Sequence, residues 1–174
     1  ELEQNNQELQ TENQRTLQLL RSEELATKAL KLENAELESS LEIAARLRAT
    51  NFQIKAFTFN KGKRIETKRA VNAENIEVCL TILDNHLTEM GNKELYIQIV
   101  NPSNNVVADK GAVNFDEESL IYSAKNTFYY DQNSQDVCVS VKADPSDRPL
   151  EKGIYRVSVF HGPQKIASAN FVLD

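Results

Sequence analysis

Apolar and polar residues follow two different periods along the chain, and the change falls near residue 50. From Leu2 to Arg48 leucines recur at heptad spacing among Glu, Gln, Asn and Lys, with no Gly or Pro. That spacing predicts an amphipathic α-helix about 70 Å long at 1.5 Å rise per residue. With Leu2 at heptad position d, the d positions are Leu2, Leu9, Thr16, Glu23, Leu30, Leu37 and Ala44. The a positions are Asn6, Asn13, Leu20, Thr27, Asn34, Leu41 and Arg48. A helix this long and this polar gains little by packing on one small domain, so the pattern predicts a coiled coil. Asparagines at a favour registers in which Asn meets Asn, and they point to a parallel homodimer. Its expected seam is Leu2, Asn6, Leu9, Asn13, Leu20, Leu30, Asn34, Leu37 and Leu41. Thr16 and Glu23 are poor d residues and Leu17 and Leu25 lie off the seam, so a local register shift is expected. Glu33 and Glu38 would repel across a parallel dimer. The alternative is a solvated single helix, or one folded back on the following domain.

Beyond residue 50 the period becomes two. Phe52–Phe59 alternates and reads as a strand. Asn60–Lys63 is turn chemistry, and Arg64–Ala70 returns as a short polar strand. Ile76–Ile82 alternates cleanly, with Ile76, Val78, Leu80 and Ile82 inward. Glu94–Val100 follows, ended by the turn Asn101–Asn104 and continued by Val106 and Val107. Gly111–Glu118 reads as a polar loop or weak strand, and Ser119–Tyr130 as one strand or two short pieces. Asp136–Val141 turns three valines inward. After the loop Asp144–Pro149 come the strand Gly153–Phe160, the hairpin turn His161–Gln164 and a last strand, Lys165–Leu173. Seven to nine short strands with no helical period between them predict an antiparallel sandwich. Tyr155 stands where immunoglobulin-like sandwiches place a tyrosine corner, with Val157 in the slot antibody domains give to cysteine. The expected fold is therefore a long α-helical coiled coil (residues 1–49) followed by an all-β, immunoglobulin-like antiparallel sandwich (residues 50–174).

Composition narrows the function more than it names it. The chain has 174 residues and a net charge of −6. Ten Glu against six Lys and Arg in the first 50 residues give 6 − 10 = −4 there. Such a balance argues against general nucleic-acid affinity. No apolar run is long enough to span a bilayer. Opening on Glu1 inside a heptad, the chain reads as a piece of a longer protein, with any membrane anchor expected in a segment outside it.

The residues capable of chemistry do not converge. Cys79 and Cys138 face away from the core side of their strands, which in an immunoglobulin-like order are neighbours. They form either a cross-strand disulfide or two free thiols, and strand register decides between them. Two cysteines without a nearby Cys or His pair make no zinc cage. His86 and His161 sit in turn-like contexts, with no nucleophile or carboxylate at a catalytic spacing. Gly62-Lys63-Arg64 lacks the upstream glycine and the hydroxyl residue of a phosphate loop. Asp144–Asp147 has no ordered calcium-ligand spacing and reads as a turn. No enzyme activity and no cofactor are expected. The local anomaly is basic: Lys61, Lys63, Arg64, Lys68 and Arg69 fall on the first hairpin. They form either a partner-docking patch or a charged edge that discourages strand-to-strand aggregation.

Several segments carry a resemblance. Ile76–Cys79, Glu94–Val107, Asp136–Cys138 and Glu151–Phe160 resemble a family of bacterial proteins of unsettled function, often labelled chromosome-partitioning proteins. Its members are built as a short N-terminal tail, one transmembrane helix, a long coiled coil and a C-terminal β domain. The resemblance covers most of residues 50–174, and the helix only in kind. It implies a membrane anchor upstream, a β domain on the periplasmic face of a bacterial inner membrane, and a Cys79–Cys138 disulfide. It supplies no catalytic residues, and a partitioning ATPase would need the phosphate loop this chain lacks. The expected function is that of a dimeric stalk presenting sandwich heads to a partner protein or polymer of the cell envelope. The alternative is a cytoplasmic, chromosome-associated protein contacting DNA through the basic hairpin.

Overall fold

The structure, a computed structural model, describes residues 1–115 and 118–174. The chain divides into two units, residues 1–44 and 45–174. The first is one α-helix, α1 (Leu2–Ala44), of 43 residues and with no buried residue. Thr11, Thr16 and Ser40 turn their hydroxyls back onto the carbonyl oxygens of Gln7, Glu12 and Glu36, one turn earlier. The coiled-coil expectation is corrected here. One 43-residue helix does not establish a coiled coil, and Leu2, Asn6, Leu9, Asn13, Leu20, Leu30, Asn34, Leu37 and Leu41 all lie exposed along it in the single chain. The physical reason is in the repeat itself. A heptad stripe is a property of one surface, and with Thr16 and Glu23 at d and three asparagines at a, too few consecutive apolar layers remain to define a seam. Arg48, the last heptad position, lies beyond the helix, and neighbouring Leu47 belongs to the core of the second unit.

The β part of the expectation fits. Residues 45–174 form β1 (Ala49–Asn60), β2 (Lys63–Glu66), β3 (Asn75–Ile82), β4 (Gly91–Val100), β5 (Ala112–Phe115), β6 (Glu118–Ile121), β7 (Ala124–Tyr130), β8 (Gln135–Lys142), β9 (Gly153–His161) and β10 (Gln164–Leu173). One four-stranded sheet has the order β2-β1-β3-β8 and the other β10-β9-β4-β7, while β5 and β6 pair as a separate hairpin. Every strand pairing described is antiparallel. Period-two alternation explains the layering. In β3 burial alternates strictly, with Ile76, Val78, Leu80 and Ile82 inward. Val137, Val139 and Val141 of β8 turn inward beside them. Leu95, Ile97 and Ile99 of β4, Val157 and Val159 of β9, and Leu173 of β10 face them from the other sheet in one core cluster.

Departures from simple alternation have local causes. β1 starts at Ala49, three residues before the expected strand, and carries a register shift between Thr50 and Gln53. Asn51 takes φ +51° there, a conformation that Asn tolerates better than most residues. Ser119–Tyr130, expected as one strand or two short pieces, is two, with β6 and β7 parted at Tyr122 and Ser123. Buried Ser123 donates its N–H to the Ile97 carbonyl at 2.7 Å, and its hydroxyl accepts from the Ile99 N–H at 3.0 Å. Those bonds keep the break tied to β4. Of Gly111–Glu118, expected as a polar loop or weak strand, residues 112–115 are β5 and Glu118 opens β6, while Asp116 and Glu117 lie outside the described residues.

Candidate docking surface

The basic hairpin is built on a two-residue turn. Lys61 (φ +48°) and Gly62 (φ +77°) occupy its centre, both in the left-handed region that suits the twist of a tight hairpin. β2 then pairs with the end of β1 from Asn60↔Lys63 to Phe57↔Glu66. Alternation puts Arg64 and Glu66 on one face of β2 and Lys63 and Ile65 on the other. Arg64 is held in place: its guanidinium stacks 3.6 Å over the Phe57 ring and is paired with Glu77. Glu66 pairs with Lys55 at 3.5 Å. The five residues are therefore not placed alike. Arg64 belongs to the sheet's outer face, whereas Lys61, Lys63, Lys68 and Arg69 are exposed and have no ion pair among the described residues. The backbone after β2 is fixed by the chain's last residue. Asp174 donates its N–H to the Lys68 carbonyl at 2.7 Å and accepts from the Ala70 N–H at 2.9 Å. This clamps the segment that carries Lys68 and Arg69 against the end of β10.

Cys79 and Cys138 are joined by a disulfide. They stand directly opposite in the β3–β8 register, with Cα atoms 4.1 Å apart, on the outer face of their sheet. Cys138 is exposed and Cys79 half-buried. Beside them a hollow of about 340 Å³ is lined by Asn51, Gln53, Thr81 and Asp136 among others. Its polar wall is self-satisfied. Asn51 Nδ2 donates to Thr81 Oγ1 at 3.3 Å, and that hydroxyl donates to Asp136 Oδ1 at 2.6 Å.

Tyr155 is fully buried, and its hydroxyl donates to the Glu151 carbonyl at 2.8 Å, four residues upstream. That is tyrosine-corner geometry at the start of the penultimate strand. Burial pushes its hydroxyl up to about 12. Sequence reasoning missed a second polar cluster. Lys125 Nζ lies 2.6 Å from Glu94 Oε1, and the Tyr96 hydroxyl donates to Glu94 Oε2 at 2.8 Å. The Lys125 bond, then the Tyr96 bond, hold Glu94 below the usual carboxylate range. Lys125 is raised in turn by its bond to Glu94. Tyr96 is raised by burial and then by the same carboxylate. Its ring also meets Phe115 and Tyr122 edge-on, with centroids 5.6 Å and 5.3 Å away. The signal available in sequence was only Glu94 and Tyr96 two positions apart on one strand face. Lys125 joins them because it pairs opposite Tyr96 on β7.

The other candidates are occupied structurally. His161 Nδ1 lies 3.0 Å from the Glu94 carbonyl. His86 is exposed in a loop, where its carbonyl accepts from Gln132 Nε2 at 3.2 Å. Asp144 pairs with Lys110 at 2.8 Å, and Asp147 accepts the Ala108 N–H at 2.7 Å. Among the described residues no three His, Cys, Asp or Glu side chains come together as metal ligands would.

Comparison with known proteins adds kinship without activity. A family model described as a domain of unknown function, DUF8428, matches residues 50–174. No curated protein matches the chain. Among solved structures, the alkylpurine DNA glycosylase AlkC of Pseudomonas fluorescens, bound to DNA containing an abasic site analog, is similar at 13% identity and a TM-score of 0.38, over 74% of this chain and 30% of that one. A β-glucosidase from Kluyveromyces marxianus is similar at 11% identity and a TM-score of 0.38, over 72% of this chain and 14% of that one. The match thus spans less than a third of either structure, and at these values neither carries an argument about function.

Proposed function

We propose, from the premise that the chain belongs to the DUF8428 family, that its β unit is a non-enzymatic docking domain of the bacterial cell envelope. Its partner is a protein or polymer of anionic character, and its compartment is the oxidising, periplasmic side of the inner membrane. The observation that carries the reading is the division of labour on the first hairpin. Arg64 is spent on Phe57 and Glu77, while Lys61, Lys63, Lys68 and Arg69 are exposed without counter-ions among the described residues, and the backbone of Lys68 and Arg69 is tied to Asp174. Four cations with no ion pair among the described residues attract an anionic surface and speed its capture. The disulfide supports the compartment, since such bonds persist where thiols are not kept reduced.

The test is a photo-crosslinking residue placed at Lys63 in living cells. A discrete adduct is expected, lost when Lys61, Lys68 and Arg69 are each changed to Glu, and not seen with the crosslinker at Thr127 on the other sheet. No adduct at Lys63, or an adduct removed by nuclease, would refute the reading.

A further inference from the structure

The four outermost strands of the two sheets are β2, β8, β10 and β7, and they are not equivalent. β2 is four residues long. β10 carries a register shift between Lys165 and Ala167, and Asp174, the residue that follows it, is bonded to Lys68 and Ala70. Bulges, shortness and covering are the usual protections of a sheet edge. β7 pairs with β4 over seven residues and carries one charged side chain, Lys125, already engaged by Glu94. β8 is neither short nor bulged, and its two charged side chains, Asp136 and Lys142, stand near its two ends. It pairs with β3 through eight consecutive residues with no shift, from Asn75↔Lys142 to Ile82↔Gln135.

Register identifies which backbone groups of β8 are open. The 4.1 Å Cα separation marks Cys79↔Cys138 as a non-hydrogen-bonded pair. Residues 137, 139 and 141 therefore bond to β3, and the N–H and carbonyl groups of Asp136, Cys138, Ser140 and Lys142 point out of the sheet. The Ala143 N–H donates to the Glu74 carbonyl at 2.9 Å, which keeps the same parity one residue further on. No partner for those four outward backbone pairs is found among the described residues.

The sequence of this edge is complementary to itself. An antiparallel pairing of β8 with a second β8 about Val139 sets Asp136 opposite Lys142, Val137 opposite Val141, and Cys138 opposite Ser140. The residues with outward backbone groups then face one another, as a hydrogen-bonded ladder requires. Opposite charges meet at both ends, a favourable cross-strand pair. Valine meets valine on the core side. The nearest registers that keep the ladder's parity are two residues away, and they set Asp136 opposite Ser140 or Asp144, parting it from Lys142.

We propose that β8 is a self-association edge, joining two copies of this chain into one continuous sheet of order β2-β1-β3-β8-β8-β3-β1-β2. The basic hairpins, on β1 and β2, lie at the two far ends of that sheet and stay free.

The test uses the full chain with its disulfide intact, in sedimentation equilibrium over a concentration series. The wild type is expected to dimerise. Asp136→Lys and Lys142→Asp each place like charges opposite one another, and each is expected to weaken the dimer about tenfold or more. The double variant D136K/K142D restores it. Mixing the two single variants yields a heterodimer in which every facing pair attracts. Amide exchange supplies an independent readout: the N–H groups of residues 136, 138, 140 and 142 slow as concentration rises, and those of β10 do not. A wild type that stays monomeric, a dimer indifferent to both single variants, or single-variant losses that the double variant does not restore would each overturn the proposal. So would protection of the β8 amides by an unrelated extended peptide with no dimer formed.

Discussion

Removing the Cys79–Cys138 bond should cost the β unit about 4 kcal/mol without unfolding it. The two cysteines are 59 positions apart, so the bond closes a long loop in the unfolded chain. Chain-entropy reasoning puts the loss for a loop of that length at about 14 cal/mol/K, or about 4 kcal/mol at 25 °C. The native state is little disturbed by the change. Both cysteines lie on the outer face of the sheet, opposite the valines that line the core, so serine at both positions deletes no core side chain. For a unit of this size the loss corresponds to a fall in Tm of roughly 15 °C. The assay is urea unfolding of C79S/C138S against the oxidised wild type. All five tyrosines fall in residues 45–174, so tyrosine fluorescence reports that unit alone. Reduced wild type should match the double variant. A loss under about 1 kcal/mol would refute the reasoning, because the bond would then not be constraining the unfolded chain. Complete unfolding would refute the claim that the core stands without it.

Other expectations follow from single contacts. Tyr155→Phe removes the bond to the Glu151 carbonyl and should cost about 1 kcal/mol. The Tyr155 hydroxyl is raised in the folded state from its ordinary value of 10.0 to about 12. Its contribution is therefore fully present below its unfolded value and is lost as pH rises through the window between the two values. Urea midpoints measured up that window should fall more steeply for wild type than for Tyr155→Phe, and equal slopes would contradict the assignment. Gly153→Ala should cost about 1–3 kcal/mol in thermal unfolding, because φ is +138° and the added Cβ would sit 2.8 Å from Pro102 Cγ. Gly62→Ala, also at positive φ but with nothing within 4 Å, should cost clearly less. Arg64→Ala should cost about 1 kcal/mol, and Lys63→Ala should stay within about 0.5 kcal/mol of wild type, since of the two only Arg64 has a side-chain partner among the described residues. Equal losses would mean the hairpin is not divided as described.

The β unit was legible wherever burial imposes period two. Ile76–Ile82 and Asp136–Val141 alternate in sequence because one face of each strand meets the core, and Tyr155 was legible because a corner position needs both a ring and a hydroxyl. That Ser119–Tyr130 could be two pieces was legible, but the position of the break at Tyr122 and Ser123 was not, since it rests on Ser123 bonding to β4, a contact sequence order does not display. The helix illustrates the opposite failure. Its heptad stripe is real, but a stripe on one helix states what could be buried and not what covers it, and its polar a and d positions weaken even that. At the basic hairpin, sequence proximity suggested one cluster of five. Alternation along β2, and the ring of Phe57 beneath Arg64, separated one of them from the rest. Lys125 was invisible for the same reason in reverse: it reaches Glu94 only through the β4–β7 pairing.

The measurement that bears most directly on an envelope docking domain is the state of Cys79 and Cys138 in the native cell. Thiols are trapped with an alkylating reagent at lysis, and the peptides are mapped by mass. A linked Cys79–Cys138 peptide is the result expected of a domain working in an oxidising compartment. Two alkylated, unlinked cysteines would contradict it.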